Sequence, residues 1–298
     1  MIRLAVRVRR EQAEIVLAEL LVLAPAGVEE VQVGEDGVEY AVYGAPGELP
    51  GLPDLNAVVG DALVEISTTE IPDDWHERWK EFHRPVLIPA PSADTRASST
   101  PTTAVPAIHV RPPWEQASIA VDGPVEEIVI DPGQAFGTGG HASTRLCLEL
   151  LLELAAAEPA RGPLLDVGTG SGVLAIAAAR LGHAPVICLD HEQESVEAAV
   201  ENARVNAVRL DVRRFDLRTD ELPGMDAGAG HAPVVLANLL RPLLLELAAT
   251  MPRRPAHLIA GGLLVEEADE IAKAFADRLG LREVSRRASG EWAALWLC

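Results

Sequence analysis

L-L-D-V-G-T-G-S-G-V-L-A-I-A-A-A-R-L-G, residues 164–182, followed by P-V-I-C-L-D, residues 185–190, decides the fold class. The run 164–167 is a short apolar strand, and glycines at Gly168, Gly170 and Gly172 make the turn that follows it. Val173, Leu174, Ile176, Ala177 and Leu181 then recur at helical spacing, Gly182 stops the helix, and 185–190 returns as a second strand. A strand, glycine turn, helix and strand at this spacing form one βαβ unit of an open, doubly wound sheet. Glycine suits such a turn because it tolerates unusual φ angles and lets a ligand approach the backbone. A dinucleotide site asks for G-x-G-x-x-G, but Val173 stands where the third glycine would fall. An acid, Asp166, precedes the turn, and a second, Asp190, ends the next strand, placed to accept hydrogen bonds from a ribose diol. The pattern favours a nucleoside ligand over a pyrophosphate-bearing one, with a purely structural glycine turn as the remaining alternative.

D-x-G-x-G-x-G with an acid closing the second strand resembles the class I S-adenosylmethionine-dependent methyltransferases. I-D-P-G-Q-A-F-G-T-G-G-H-A-S-T, residues 130–144, is similar to the signature of the ribosomal protein L11 methyltransferase family, which modifies a large-subunit ribosomal protein. W-x-x-x-W-K at 75–80, E-N-A-x-x-N at 201–206, A-N-L-L at 237–240 and G-G-L-L at 261–264 recur in that family's order. The resemblance implies an α/β fold: a Rossmann-like class I methyltransferase sheet with a small N-terminal ferredoxin-like α+β domain. It implies S-adenosyl-L-methionine as cofactor and a basic ribosomal protein as partner.

Outward from the glycine turn, the chain divides into a ferredoxin-like domain at 1–68, a linker helix and flexible loop at 69–107, and the methyltransferase domain at 108–298. At the N-terminus, Ile2, Leu4, Val6 and Val8 alternate with arginines as a half-buried strand. A helix over 11–23 and strands near 28–33, 38–42 and 62–66 complete a β-α-β-β-(α)-β pattern. Trp75, Trp79 and Phe82 share one helical stripe, a docking surface between domains. Residues 90–107 are low in complexity and read as an exposed loop inserted relative to the family. Strands are expected at 108–110, 128–130, 210–212, 233–237 and 257–260, helices at 142–156, 192–205, 239–249 and 266–279, and an antiparallel pair at 281–287 and 292–297.

In an open sheet the site lies beyond the carboxyl ends of the strands. That gathers Asp166, Gly168, Gly170, Gly172, Asp190 and Asn238. Asp190 belongs with ribose hydroxyls, Gly168 and Gly170 with the nucleoside and methionine portions, and Asp166 either braces the loop or meets the methionine ammonium through water. The resemblance implies that Phe136, Gly137 and Thr138 cover the methionine end of the cofactor, with Thr144 beside it. Asn238 and Leu239 are the candidate catalytic pair, holding an attacking amine beside the methyl group; Asn238 also suits a helix cap. Leu239 and Leu240 stand where methyltransferases of glutamine amides and base amines carry Pro-Pro followed by an aromatic, which points to amines on a protein. His141 is the nearest candidate base, though capping the next helix explains it as well, and His191 is a weak contact for adenine. No serine or cysteine elbow and no H-E-x-x-H is present, so no metal is expected.

The formal net charge is −20, with Lys80 and Lys273 the only lysines. Such a surface disfavours nucleic acid, which needs clustered cations, and attracts a basic protein. Cys147, Cys188 and Cys298 are scattered, and the first two fall on apolar faces as core thiols. No apolar run is long enough to span a membrane and no signal segment opens the chain, so a cytoplasmic protein, taken as a monomer, is expected. Two other readings remain: a methyltransferase of the same fold with another acceptor, and a scaffold that kept the cofactor fold without turnover.

Overall fold

The computed structural model describes residues 2–9, 16, 29–33, 37–44, 63–70, 83–91, 105–116, 123–132, 139–158, 160–223 and 232–298. The chain divides into two compact units, Met1–Phe82 and His83–Cys298. In the first, β1 (Ile2–Arg9), β2 (Glu29–Val33), β3 (Gly37–Gly44) and β4 (Leu63–Glu70) form an antiparallel sheet of order β2-β3-β1-β4. That order is the one a β-α-β-β-α-β connection produces. The alternation of β1 buries Leu4, Val6 and Val8 against Val38, Tyr40 and Val42 of β3. Arg3 and Arg7 both reach Glu39, and Arg7 also pairs with Glu65 of β4. The Arg3 hydrogen bond chiefly holds the Glu39 carboxyl below its ordinary value. Apart from Val16, which is buried, the expected helix over 11–23 lies outside the described residues, as does the tryptophan stripe at 75–82.

The second unit carries two sheets. The larger is built from β8 (Leu164–Val167), β9 (Val186–Asp190), β10 (Asp211–Arg214), β11 (Val234–Asn238), β12 (His257–Leu264), β13 (Glu283–Ser289) and β14 (Trp292–Leu297). Its order is β10-β9-β8-β11-β12-β14-β13, with the first five strands parallel and β14 antiparallel to both neighbours. Five parallel strands with a closing hairpin is the arrangement expected from the βα repeat. Strand order reverses between β8 and β11, which puts the crevice above Val167 and Asn238.

Both faces of this sheet are covered, so its central strands are apolar apart from Asp166 in β8, the terminal Asn238 of β11 and the initial His257 of β12. Leu164, Leu236 and Ile259 face one core, with helices α1 (Ala142–Ala157) and α2 (Val173–Arg180). Leu165, Val235 and Leu258 face the other, with α4 (Arg241–Thr250) and α5 (Ala268–Leu279). Helix α3 (Gln193–Val205) packs along β9 and β10 beside α2. Phe275 of α5 is fully buried; removing such a ring costs about 3–5 kcal/mol. Cys147 and Cys188 are buried free thiols of the first core, and burial raises both pKa values.

The smaller sheet joins β5 (Val86–Ile88), β6 (Ala107–Arg111) and β7 (Val125–Val129), with β5 antiparallel and β7 parallel to β6. β5 falls within the stretch expected as linker helix and loop. Among the described residues no helix is long and apolar enough to cross a membrane.

Candidate functional site

The glycine turn is threaded onto the end of β9. Gly168 and Thr169 both donate their amides to the Leu189 carbonyl, at 2.8 and 3.0 Å. The Gly170 amide donates to Asp190 Oδ2 at 2.8 Å, while Asp190 Oδ1 accepts from the Glu192 amide at 3.0 Å. The Asp190 carbonyl accepts from Phe215 at 2.8 Å, which ties the end of β10 to the same point. A carboxylate offers about four lone-pair directions, so two amides leave Asp190 room for further donors.

Asp190 opens on a cavity of about 570 Å³, within the range of small-molecule sites. Of the candidate residues, Gly168, Gly170, Asp190, Asn238 and Leu239 line it, together with His141 and His191. Thr144, Asp166 and Gly172 stand behind that lining. Gly172, at φ +82°, instead faces α3, where an added Cβ would lie 3.2 Å from the Ala199 Cβ. Phe136, Gly137 and Thr138 lie outside the described residues.

Asp166 is fully buried on the α1/α2 face of β8, where Thr169 Oγ1 donates to its Oδ2 at 2.7 Å. Desolvation pushes its pKa up to about 7, partly offset by the Thr169 hydroxyl and the Ala175 amide and reinforced by the Asp190 charge. A carboxyl in such surroundings braces the loop from beneath.

Asn238 ends β11. Its Nδ2 donates to Thr144 Oγ1 on α1 at 3.3 Å, and its buried Oδ1 has no partner among the described residues. The helix that follows begins at Arg241 with Leu240 as its N-cap, so Asn238 does not cap it. Strand β12 bulges beneath this point at Gly261 and Gly262. The Leu239 amide donates to the Gly261 carbonyl at 3.1 Å. A Cβ on Gly262, at φ +75°, would lie 2.5 Å from the Leu239 carbonyl oxygen. Glycine is required at this crossing so that the backbone bearing Asn238 and Leu239 can rest on β12.

His141 accepts from the Ser143 amide through Nδ1 at 3.3 Å and is the N-cap of α1. Its ring meets Trp292 edge-on at a centroid distance of 4.7 Å, and both line the cavity. Beside Leu240, which is 64% exposed, they form the apolar end of the opening. The opposite end carries Asp190, His191, Glu192, Phe215 and Asp216.

Phe215 and Asp216 were not singled out from the sequence, where the third parallel strand is expected to end at 212. It runs to Arg214, and the same carboxyl-end rule then points to them. For Trp292 no local signal exists, because β14 enters the sheet from the far end of the chain.

The cavity suits a nucleoside-bearing cofactor. An acid with spare acceptor capacity, the glycines Gly168 and Gly170, and Asn238 line one crevice at the point where strand order reverses. Comparison with known proteins agrees. The family profile described as Ribosomal protein L11 methyltransferase (PrmA) matches residues 55–297. The ribosomal protein L11 methyltransferase of Syntrophotalea carbinolica is 35% identical over 283 residues, covering 93% of this chain and 80% of that protein. That of Bordetella bronchiseptica is 38% identical over 226 residues, covering 71% and 68%. The crystal structure of a ribosomal protein L11 methylase from Lactobacillus delbrueckii subsp. bulgaricus superposes with a TM-score of 0.53 at 29% identity, covering 64% of this chain and 94% of that one.

Proposed function

The chain belongs to the ribosomal protein L11 methyltransferase family and has the class I S-adenosylmethionine-dependent methyltransferase fold, and from this we propose that it transfers methyl groups from S-adenosyl-L-methionine to lysine side-chain and α-amino nitrogens of a large-subunit ribosomal protein. The observation that carries the reading is Asp190. It is fastened to the glycine turn by the Gly170 amide yet lines the cavity with acceptor capacity to spare, one crevice from Asn238.

When bound, S-adenosylmethionine supplies an activated sulfonium methyl, so the protein's task is alignment more than acid–base chemistry. Asp190 accepts from the ribose hydroxyls, and Gly168 and Gly170 admit the nucleoside to the backbone. Asp216 accepts from an exocyclic base amine. Asn238 and the Leu239 backbone orient the acceptor amine, with Thr144 fixing which way the Asn238 amide faces. A lysine must arrive neutral, at a cost of about 4–5 kcal/mol at neutral pH. The apolar end formed by Leu240 and Trp292 lowers that cost by disfavouring the ammonium form. His141 has one nitrogen committed to its helix cap, which supports a positioning role over a general-base role. The acid-rich chain favours a basic protein acceptor over nucleic acid.

Asp190→Ala removes an acceptor from both the turn and the ligand. Calorimetry should show S-adenosylmethionine binding weakened by about ten- to hundredfold, the worth of one or two hydrogen bonds to a charged group. Mass spectrometry of ribosomal proteins from cells lacking this chain should show methyl groups missing from one large-subunit protein. Methyl groups missing from a different protein, with the ribosomal ones intact, would overturn the acceptor.

A further inference from the structure

Asn202 of helix α3 and Asn206, its C-cap, stand one turn apart, both almost wholly buried, and neither lines the cavity. Asn206 treats β7 as a neighbouring strand would. Its Oδ1 accepts from the Val129 amide at 2.8 Å and its Nδ2 donates to the Val129 carbonyl at 2.7 Å. Asn202 Oδ1 accepts from the Asp131 amide at 3.1 Å. Residues 129 and 131 present their polar groups to the same side of an extended chain, and Ile130 donates to Arg111 on the other side. Four helical residues advance about 6 Å and two extended residues about 6.6 Å, so the E-N-A-x-x-N spacing matches this edge.

Asn202 does a second thing that Asn206 does not. Its Nδ2 donates to the Ser171 carbonyl at 2.9 Å, inside the glycine turn. The next amide, Gly172, lies in the same peptide plane and donates to the Thr169 carbonyl at 2.8 Å. Fixing the Ser171 carbonyl therefore fixes the plane that closes the turn around Gly170, whose amide holds Asp190. The close approach of Gly172 to Ala199 brings α3 near enough for Asn202 to reach. Asn202 thus spans from the glycine turn to the Asp131 backbone just beyond β7.

We infer that Asn202 is a positioning residue for the cofactor, holding the glycine turn and the Asp131 backbone at the separation the ligand needs, while Asn206 secures the edge of β7 and the Asn202 carbonyl without touching the turn. The inference rests on the site binding S-adenosylmethionine. Asn202→Asp keeps the shape and the bond from Asp131, but sets a carboxylate oxygen against the Ser171 carbonyl. Asn206→Asp makes the corresponding change against the Val129 and Asn202 carbonyls, away from the glycine turn, and serves as the comparison. For both variants and wild type, S-adenosylmethionine affinity is measured by calorimetry as a function of pH, because burial raises the pKa of the new carboxyl and the repulsion grows as it ionises, alongside thermal unfolding. Both variants should unfold at lower temperature. Only Asn202→Asp should also weaken binding, by about tenfold, the effect of one lost hydrogen bond, with Asn206→Asp within about twofold of wild type. If Asn202→Asp does not fold, Asn202→Ser, which keeps a donor and an acceptor on a shorter arm, is measured the same way with the same expectation. Equal affinities for all folded variants, or equal weakening in the two asparagine positions, overturns the inference alone. A wild-type chain that binds no S-adenosylmethionine overturns the reading of the site and this inference with it.

Discussion

Asp166 illustrates what a single buried carboxyl does to the whole chain's response to pH. Its ordinary value of 3.8 is raised to about 7, first by desolvation. Between those values the folded protein keeps a proton that the unfolded chain has released, so stability falls as pH rises through this window and levels off above it. About three pKa units correspond to roughly 4 kcal/mol at most. Asp166→Asn preserves the side chain's shape and its contact with Thr169 while removing the charge. Thermal unfolding across a pH series should show a flatter profile from about pH 4 to 7 and a higher midpoint than wild type at about pH 8. Parallel profiles for the two proteins would refute this account. From the sequence this carboxyl reads either as a brace for the turn or as a contact to the methionine ammonium through water, and its hydrogen bond from Thr169 supports the brace. Its burial was not legible, since it depends on α1 and α2 closing over β8.

At the scale of elements, the two glycine features differ in what they hold apart. Gly290 sits at φ +59° with nothing within 4 Å of an added Cβ, so Gly290→Ala should cost only the conformational penalty, about 1 kcal/mol. Gly262 combines φ +75° with the Leu239 backbone in the path of a Cβ. Gly262→Ala should cost about 3 kcal/mol or more and depress methyl transfer through a displaced Leu239, as read by denaturant unfolding and turnover on the acceptor. Similar losses for the two variants would show that the β12 bulge is not what seats Leu239. This bulge escaped sequence reading because the strand pattern was taken to stop at Ala260, where the glycines interrupt it. β5 escaped because Val86–Ile88 is too short to show a period. The exposed polar residues of β10, an edge strand, concealed its last turn of pairing and with it Phe215 and Asp216. The central strands were legible because burial on both faces leaves continuous apolar runs that few other structures use.

For the whole molecule, 45 acidic residues against 25 basic ones leave the surface strongly negative. Exposed pairs such as Arg241 with Glu270 and Arg204 with Glu201 neutralise locally and add little stability. On the proposed reading, the surplus acts at a distance, as a field that would draw in a basic acceptor. Raising ionic strength should lower kcat/KM for the protein acceptor while leaving S-adenosylmethionine affinity nearly unchanged, because screening weakens long-range attraction far more than contacts within the crevice. An acceptor rate insensitive to salt would remove electrostatics from recognition. A different consequence follows from the place of β14 between β12 and β13. Among the described residues β13 pairs with β14 alone and is translated before it, so its amides stay open to solvent until β14 slots in. Pulse-labelled hydrogen exchange during synthesis should therefore find β8, β9 and β11 protected before either member of the closing hairpin, with those two gaining protection together.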